Sequence, residues 1–329
     1  MRILALVPGG IGDQILFFPT LDDLKANYPD AEIDVIVEPR AKGAYRVSGS
    51  VEEVLTFDFK DRNGLADFGN LLGTIRDREY DAALALGGRW SVGLLLWMSG
   101  VPIRIGYDAN PFKWFFTKTV PLNTEQYAAQ MYHDLLQGFG INSPCPELAL
   151  SVPKQDIEWA EKEQKRLDIT ESGYVLIHGG SSQLAQAKGF DQIYPVKKWQ
   201  QIIEDIQQKQ PNLPIVILEG PEDAEWATAL KQSRLDLKST APGDIGKLAA
   251  MIAGASLMLC TDSVPMHLAV AVGTYTIALL GSTEAKKVVP ASVSEAGRDS
   301  GPRLISVQSP TRSVADIKPE TVLEQVWRA

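Results

Sequence analysis

Two stretches of this 329-residue chain hold residue types at spacings that could do chemistry. The first is Cys260-Thr261-Asp262-Ser263-Val264-Pro265-Met266-His267-Leu268-Ala269, between the apolar runs Ser256–Leu259 and Thr276–Leu280. It reads as strand, helix N-terminus, helix and strand. Asp262 or Ser263 suits the N-cap, and Pro265 suits the first helical turn, where no N–H is required. Open backbone N–H groups and the positive end of the helix dipole would receive a diphosphate there, although an ordinary capped helix has the same pattern. The second stretch is Gly9-Gly10-Ile11-Gly12-Asp13, between a strand over Ile3–Val7 and a helix over Asp13–Asn27. Gly10 and Gly12 permit a tight turn and close ligand approach. Asp13 then sits in the crevice at the strand ends, where a carboxylate can take a proton from an attacking hydroxyl or simply cap the helix.

The same loop admits a rival chemistry. Gly10-Ile11-Gly12-Asp13-Gln14-Ile15 nearly matches the G-x-G-x-x-G dinucleotide fingerprint, with Glu38 in a ribose-binding position. Ile15 at the third glycine position and the charge of Asp13 beside a pyrophosphate count against it. An NAD-dependent oxidoreductase is therefore kept as the alternative from another class. His178-Gly179-Gly180-Ser181-Ser182 offers small residues and hydroxyls for a phosphate or ribose, or a plain strand-to-helix turn. Glu219 and Glu222 flank Gly220-Pro221 at a strand end, with Glu225 nearby; a surface loop reads the same way. His267 can meet a phosphate or a backbone carbonyl. Trp114-Phe115-Phe116, beside Lys113 and Lys118, reads as core with snorkelling lysines or as a contact for a lipid-linked acceptor.

Positioning these residues requires alternating strands and helices. Apolar strands are predicted at Ile3–Val7, Ile33–Glu38, Val54–Phe57, Ala82–Leu86 and Ile103–Tyr107, with helices at Asp13–Asn27, Leu65–Asp77, Ser91–Ser99 and Gln126–Phe139. A second series starts at Tyr174–His178 and runs through strands at Ile215–Leu218, Leu257–Cys260 and Tyr275–Leu280 to a terminal helix at Pro319–Trp327. Such alternation means parallel βαβ units and doubly wound sheets. The expected domains are 1–150 and 174–329, joined by a charged linker helix within 151–173. The uncharged run 263–283 splits into a buried helix, a turn at Gly273 and a buried strand, so it is not read as a membrane span.

Bulk properties remove several classes. A net charge of −9 argues against a nucleic-acid footprint. The first 150 residues carry 13 Lys+Arg and 19 Asp+Glu, so any membrane attraction must be local. Two cysteines 115 positions apart form neither a metal pattern nor a disulfide framework, which points to a reducing, cytoplasmic setting. The start, with one positive residue before the five apolar residues Ile3–Val7, does not read as a signal peptide.

Five segments in order resemble glycosyltransferase family nine, the ADP-heptose:lipopolysaccharide heptosyltransferases and their relatives. Asp262–Ala269 resembles the Asp-Ser-Gly-Pro-Met-His-Leu-Ala signature, with Val264 for glycine. Gly9–Leu16 resembles the opening Gly-Asp loop, Arg104-Ile105-Gly106-Tyr107 a mid-domain element, and Gly220–Asp223 a Gly-Pro-x-Asp/Glu loop. His178–Ser182 resembles a His-Pro-Gly-Ala-Ser loop, with Gly179 for proline. The resemblance implies a GT-B fold, two Rossmann-like domains facing across a cleft, that transfers a sugar with inversion from an ADP-sugar to a glycan or glycolipid acceptor. It implies Asp13 as general base, and Ser181, Ser182, Asp262, Ser263, Val264 and His267 at the donor. Glu222 would read the nucleoside, with Glu219 and Glu225 as rivals. Lys188, displaced by a short insertion, would neutralise the diphosphate. It further implies no metal or other cofactor, the ADP-sugar being a co-substrate, and peripheral contact with the cytoplasmic face of the inner membrane. A sugar-nucleotide epimerase or hydrolase would share this architecture, and a non-catalytic sugar- or lipid-binding module would tolerate loss of Asp13.

Overall fold

The computed structural model describes residues 1–59, 64–109, 111–170, 173–180, 193–232, 237–290 and 304–328. The chain divides into two units, Met1–Ser151 and Val152–Ala329. The first is built on a six-stranded sheet of β1 (Arg2–Val7), β2 (Glu32–Val37), β3 (Glu53–Thr56), β4 (Ala82–Ala85), β5 (Ile103–Tyr107) and β6 (Lys118–Val120). The strands lie in the order β3-β2-β1-β4-β5-β6, with every neighbouring pair parallel. Helices α1 (Ile11–Asn27), α2 (Leu65–Asp77), α3 (Trp90–Ser99) and α4 (Ala128–His133) connect or cover them. Ile3 through Val7 are all fully buried, as expected of a central parallel strand covered on both faces. One face packs Leu4, Leu6, Ile36, Ala83 and Ala85 against Leu71, Ile75, Val92, Leu95 and Leu96 of α2 and α3.

The second unit opens with α5 (Lys154–Leu167) and continues through β7 (Val175–His178), α6 (Val196–Lys209), β8 (Ile215–Leu218), α7 (Ala224–Lys231), β9 (Lys238–Thr240), α8 (Ile245–Ala253), β10 (Leu257–Thr261), α9 (Val264–Ala271), β11 (Thr276–Leu280), α10 (Ala285–Val288), β12 (Leu304–Gln308) and α11 (Pro319–Val326). Its sheet runs β12-β11-β10-β7-β8-β9, again all parallel. In order of appearance the strands of both sheets are arranged 3-2-1-4-5-6, the Rossmann order, with switch points between β1 and β4 and between β7 and β10. The core of the second unit joins Val175, Ile177, Ile215 and Ile217 to Trp199, Ile202, Ile203 and Ile206 of α6 and Val322 of α11.

Some details differ from the sequence reading. The charged helix expected as a linker belongs to the second unit, where α5 packs against α8. Strands β6, β9 and β12 were not anticipated, and all three are edge strands. The helix expected over Gln126–Phe139 is α4 followed by a 3-10 turn over Asp134–Phe139. Residues 263–283 form α9 and β11, and among the described residues no helix is long and apolar enough to cross a membrane.

Candidate active site

Each unit gathers polar side chains at the switch point of its own sheet. In the first, β1 ends at Val7 and α1 begins at Ile11 with Gly10 as its N-cap. Asp13 is the third residue of α1. Its Oδ2 accepts the Gly10 N–H at 2.7 Å, and the Tyr132 hydroxyl of α4 donates to Oδ1 at 3.0 Å. Asp13 thus does cap its helix, while its second oxygen is held by a phenol 119 positions away. Burial pushes the Tyr132 hydroxyl well above its ordinary range, helped by the charge and hydrogen bond of Asp13, so the phenol stays a donor.

The glycine that this turn requires is Gly9, which the sequence reading passed over. Its φ is +156°, and a Cβ there would stand 2.4 Å from Asp13 Oδ2. Gly10 has ordinary space around a Cβ, and Gly12 lies inside the first turn of α1 rather than in the loop. Tyr132, which holds Asp13, lines a pocket of about 490 Å³ at the carboxyl ends of the strands together with Pro8, Gly87, Gly88, Tyr107 and Met131. The Arg104-Ile105-Gly106-Tyr107 element fixes this wall. Arg104 Nε donates to the Phe115 carbonyl at 2.8 Å, and the Tyr107 hydroxyl donates to the Met131 carbonyl at 2.8 Å, one residue before Tyr132.

In the second unit β7 ends on His178, which is buried. Its Nε2 lies 2.8 Å from Asp223 Oδ2, and its Nδ1 lies 3.2 Å from Ser263 Oγ. Ser263 is the N-cap of α9, which settles the choice between Asp262 and Ser263, and its Oγ also lies 3.0 Å from the Thr261 carbonyl. Thr261 Oγ1 donates to the Gly180 carbonyl at 3.1 Å. The strand-end loops after β7, β8 and β10 are therefore tied together. Val264 is the first residue of α9, Pro265 follows it, Asp262 precedes the cap, and His267 is buried within the helix.

Glycines make this packing feasible. A Cβ on Gly180 would fall 1.8 Å from Asp223 Oδ1, and one on Gly220 would fall 2.6 Å from Oδ2. Gly179, in the proline position of the resembled loop, is pressed against tryptophans: a Cβ there would meet Trp199 Nε1 at 2.2 Å and Trp226 Cζ2 at 2.5 Å. In the Gly220–Asp223 loop Glu222 is exposed, and the carboxylate turned into the network is that of Asp223. Glu219 is held by Lys231 at 2.7 Å instead. Burial alone would raise its pKa, but the bonds from Lys231 and Ser239 outweigh it and leave the group below its ordinary value. Ser181, Ser182 and Lys188 lie outside the described residues. Sequence reasoning missed Asp223 and Tyr132. Asp223 could have been found from the Gly-Pro-Glu-Asp loop, whereas Tyr132 gives no signal beyond an aromatic in a helix.

The Trp114-Phe115-Phe116 cluster is divided. Phe115 and Phe116 are buried, while Trp114 is 65% exposed. Nearby, Trp97 of α3 packs its ring against Phe115, and Trp90 packs against Phe112. Trp90 and Trp97 are both 53% exposed.

Comparison with known proteins follows the same lines. The model of glycosyltransferase family 9 (heptosyltransferase) matches residues 69–301. Lipopolysaccharide heptosyltransferase 3 of Escherichia coli is 24% identical over 293 residues, covering 83% of this chain and 81% of the relative. A glycosyl transferase family 9 structure from Veillonella parvula superposes with a TM-score of 0.84 at 19% identity, covering 99% of this chain and 96% of the other. The E. coli heptosyltransferase WaaC with ADP superposes with a TM-score of 0.76 at 16% identity, covering 100% and 99%.

Proposed function

The chain belongs to glycosyltransferase family 9 and has its GT-B architecture of two Rossmann-like sheets, and from that premise we propose that it moves a heptose or related sugar from an ADP-sugar to a hydroxyl of a lipopolysaccharide core or another cell-surface glycan. The similarity to heptosyltransferase 3 and to an ADP-bound heptosyltransferase supports this donor and acceptor.

The observation that carries the reading is the setting of Asp13. Its carboxylate stands at the first switch point, fixed by two donors, one of which, Tyr132, lines a pocket of about 490 Å³. A carboxylate has about four lone-pair directions, so two donors leave room for an acceptor hydroxyl. Asp13 takes the hydroxyl proton as the acceptor oxygen bonds to the anomeric carbon. The bond from that carbon to the diphosphate breaks on the opposite face, which inverts the centre, and ADP leaves carrying the electron pair. In the second unit the N-terminus of α9, with Asp262, Ser263 and Val264, receives the diphosphate, and its dipole offsets the charge on the leaving group. His267 stands in the same helix. Ser181, Ser182, Lys188 and Glu222 are assigned to the donor on the family resemblance. This assignment uses neither metal nor cofactor.

A calorimetric titration with ADP, UDP, GDP, dTDP and NAD, without metal, tests the donor. Selective binding of ADP supports the reading. Selective binding of another nucleoside diphosphate replaces the donor, and binding of NAD alone overturns the assignment. Release of ADP from the donor should also require the acceptor, which an epimerase or hydrolase would not need.

A glycolipid acceptor would bring the enzyme to a membrane surface, which the family resemblance makes the cytoplasmic face of the inner membrane. The exposed indoles of Trp90, Trp97 and Trp114 support peripheral contact, because indole rings favour the bilayer interface. Co-sedimentation with phosphatidylglycerol vesicles should fall when Trp97 and Trp114 are replaced by serine. Equal sedimentation would remove this contact.

A further inference from the structure

Asp and Ser are among the side chains most favoured at helix N-caps, where they bond the first free N–H groups of their own helix. In this protein Asp223 is the N-cap of α7 and Ser263 is the N-cap of α9, yet neither side chain caps its helix. Both turn instead to one buried histidine: Asp223 Oδ2 lies 2.8 Å from Nε2 of His178, and Ser263 Oγ lies 3.2 Å from Nδ1. Forgoing a cap weakens a helix, and it happens here twice around a single ring. Gly180 and Gly220 give up their side chains to admit Asp223, since a Cβ on either would collide with its carboxylate.

The direction of the chain follows from donor and acceptor chemistry. A carboxylate only accepts, so Nε2 carries the ring proton and donates it to Asp223. In the neutral ring Nδ1 is then an acceptor facing the Ser263 hydroxyl. The hydroxyl has one proton and two acceptors in reach, Nδ1 and the Thr261 carbonyl at 3.0 Å, so it donates to one of them at a time and its lone pairs remain for a further partner.

We propose that the Asp223–His178 pair is a positioning device for the donor site: it holds the Ser263 hydroxyl off its own helix and so keeps the N-terminus of α9 open for the diphosphate. This rests on the donor reading above and extends it to two residues which that reading did not use. His178 and Asp223 act through Ser263 and are positioning residues. Loss of the pair lets Ser263 fold back onto α9 and compete with the diphosphate for the same N–H groups.

The test is ADP affinity, measured by calorimetry on wild type and variants well below each variant's melting temperature. His178→Leu should weaken ADP binding about tenfold, the scale of one hydrogen-bonded position. It should raise the donor KM by a similar factor and leave the acceptor KM unchanged. Combining His178→Leu with Ser263→Ala should cost no more than the worse single variant, because both act on one link. Conservative replacements separate the two ends of the ring. His178→Asn places its amide at the Nδ1 position, facing Ser263, and should recover most of the affinity. His178→Gln places it at the Nε2 position, facing Asp223, and should not. If His178→Leu fails to fold, Asp223→Leu, close in shape to aspartate but without an acceptor for Nε2–H, serves in its place and should weaken ADP binding in the same direction. Wild-type affinity in a folded His178→Leu or Asp223→Leu protein overturns the proposal alone. So does a multiplicative double variant, or better recovery with Gln than with Asn. A wild-type protein that binds no ADP overturns the ADP-donor reading and this proposal with it.

Discussion

Asp13 holds two hydrogen bonds before any substrate arrives, and these decide what its replacement does. Asp13→Asn keeps the size and can keep an oxygen toward Gly10 or Tyr132, so the fold should persist while the proton acceptor is lost. The kcat should fall by about 10²–10⁴-fold, with ADP affinity unchanged. A steady-state assay beside a calorimetric titration checks both, and unchanged turnover would exclude the general-base role. Tyr132→Phe removes only the phenol that fixes Oδ1. It should lower kcat by about tenfold without altering the donor KM, and an equal loss in donor binding would place Tyr132 elsewhere in the mechanism. Asp13 was legible in the sequence because a carboxylate directly after a glycine turn between strand and helix is a local pattern. Tyr132 was not, because its 119-residue separation from Asp13 is closed only by the packing of α4 on α1. His178 was visible only as part of a loop, and its two partners come from loops 45 and 85 positions away.

The elements were legible in proportion to their burial. Central strands such as β1, β7 and β10 are unbroken apolar runs because both faces are covered, and the sequence marks them to within a residue or two. The missed strands β6, β9 and β12 are edge strands of three to five residues, with polar or exposed positions and no apolar run to find. Helix α4 gives way to a 3-10 turn where Gly138 lies against Ile105; a Cβ there would come within 2.6 Å of that side chain. The same kind of contact makes Gly180→Ala a test of the loop after β7. With Asp223 Oδ1 in the way, the variant should melt lower and lose ADP affinity, whereas Gly43→Ala, with open space around its Cβ, should do neither. Thermal melts with and without ADP check this. The Glu219–Lys231 pair joins the end of β8 to α7 and titrates in a known direction. Because the folded protein holds the Glu219 pKa below its ordinary value of 4.5, the stability it contributes is present above that pH and is lost as the pH falls through the lower folded value. Lys231→Met should reduce acid resistance of the second unit in that window, as followed by pH-dependent unfolding.

At the scale of the whole molecule, two sheets of the same strand order are built from consecutive halves of the chain. The alternation of strands and helices announced both sheets; the second unit begins at Val152, so it takes in the segment expected as a separate linker. The helix within 151–173 was read as a connection because it is charged; it packs on α8, which no local pattern reveals. With ADP assigned to the second unit, the ligand should stabilise that unit alone. At a hundredfold excess over Kd the gain is about 2.7 kcal/mol. Limited proteolysis should then show fragments of residues 152–329 protected by ADP and fragments of residues 1–151 unaffected, and equal protection of both would contradict the division of labour.

The division after Ser151 also sets the order of events during synthesis. Every strand of the first sheet, β1 through β6, has been made before the first residue of β7 is added. At about 5–20 residues per second, the 178 residues of the second unit take roughly 10–35 s to make, ample time for the first sheet to close. The second sheet closes later: Tyr194 donates to the Ile317 carbonyl and Lys198 to those of Ala315 and Ile317, so its core is sealed only after residues 315–317 have left the tunnel. A nascent chain arrested near residue 310 would therefore present a finished first half and a second half still open to chaperones and proteases.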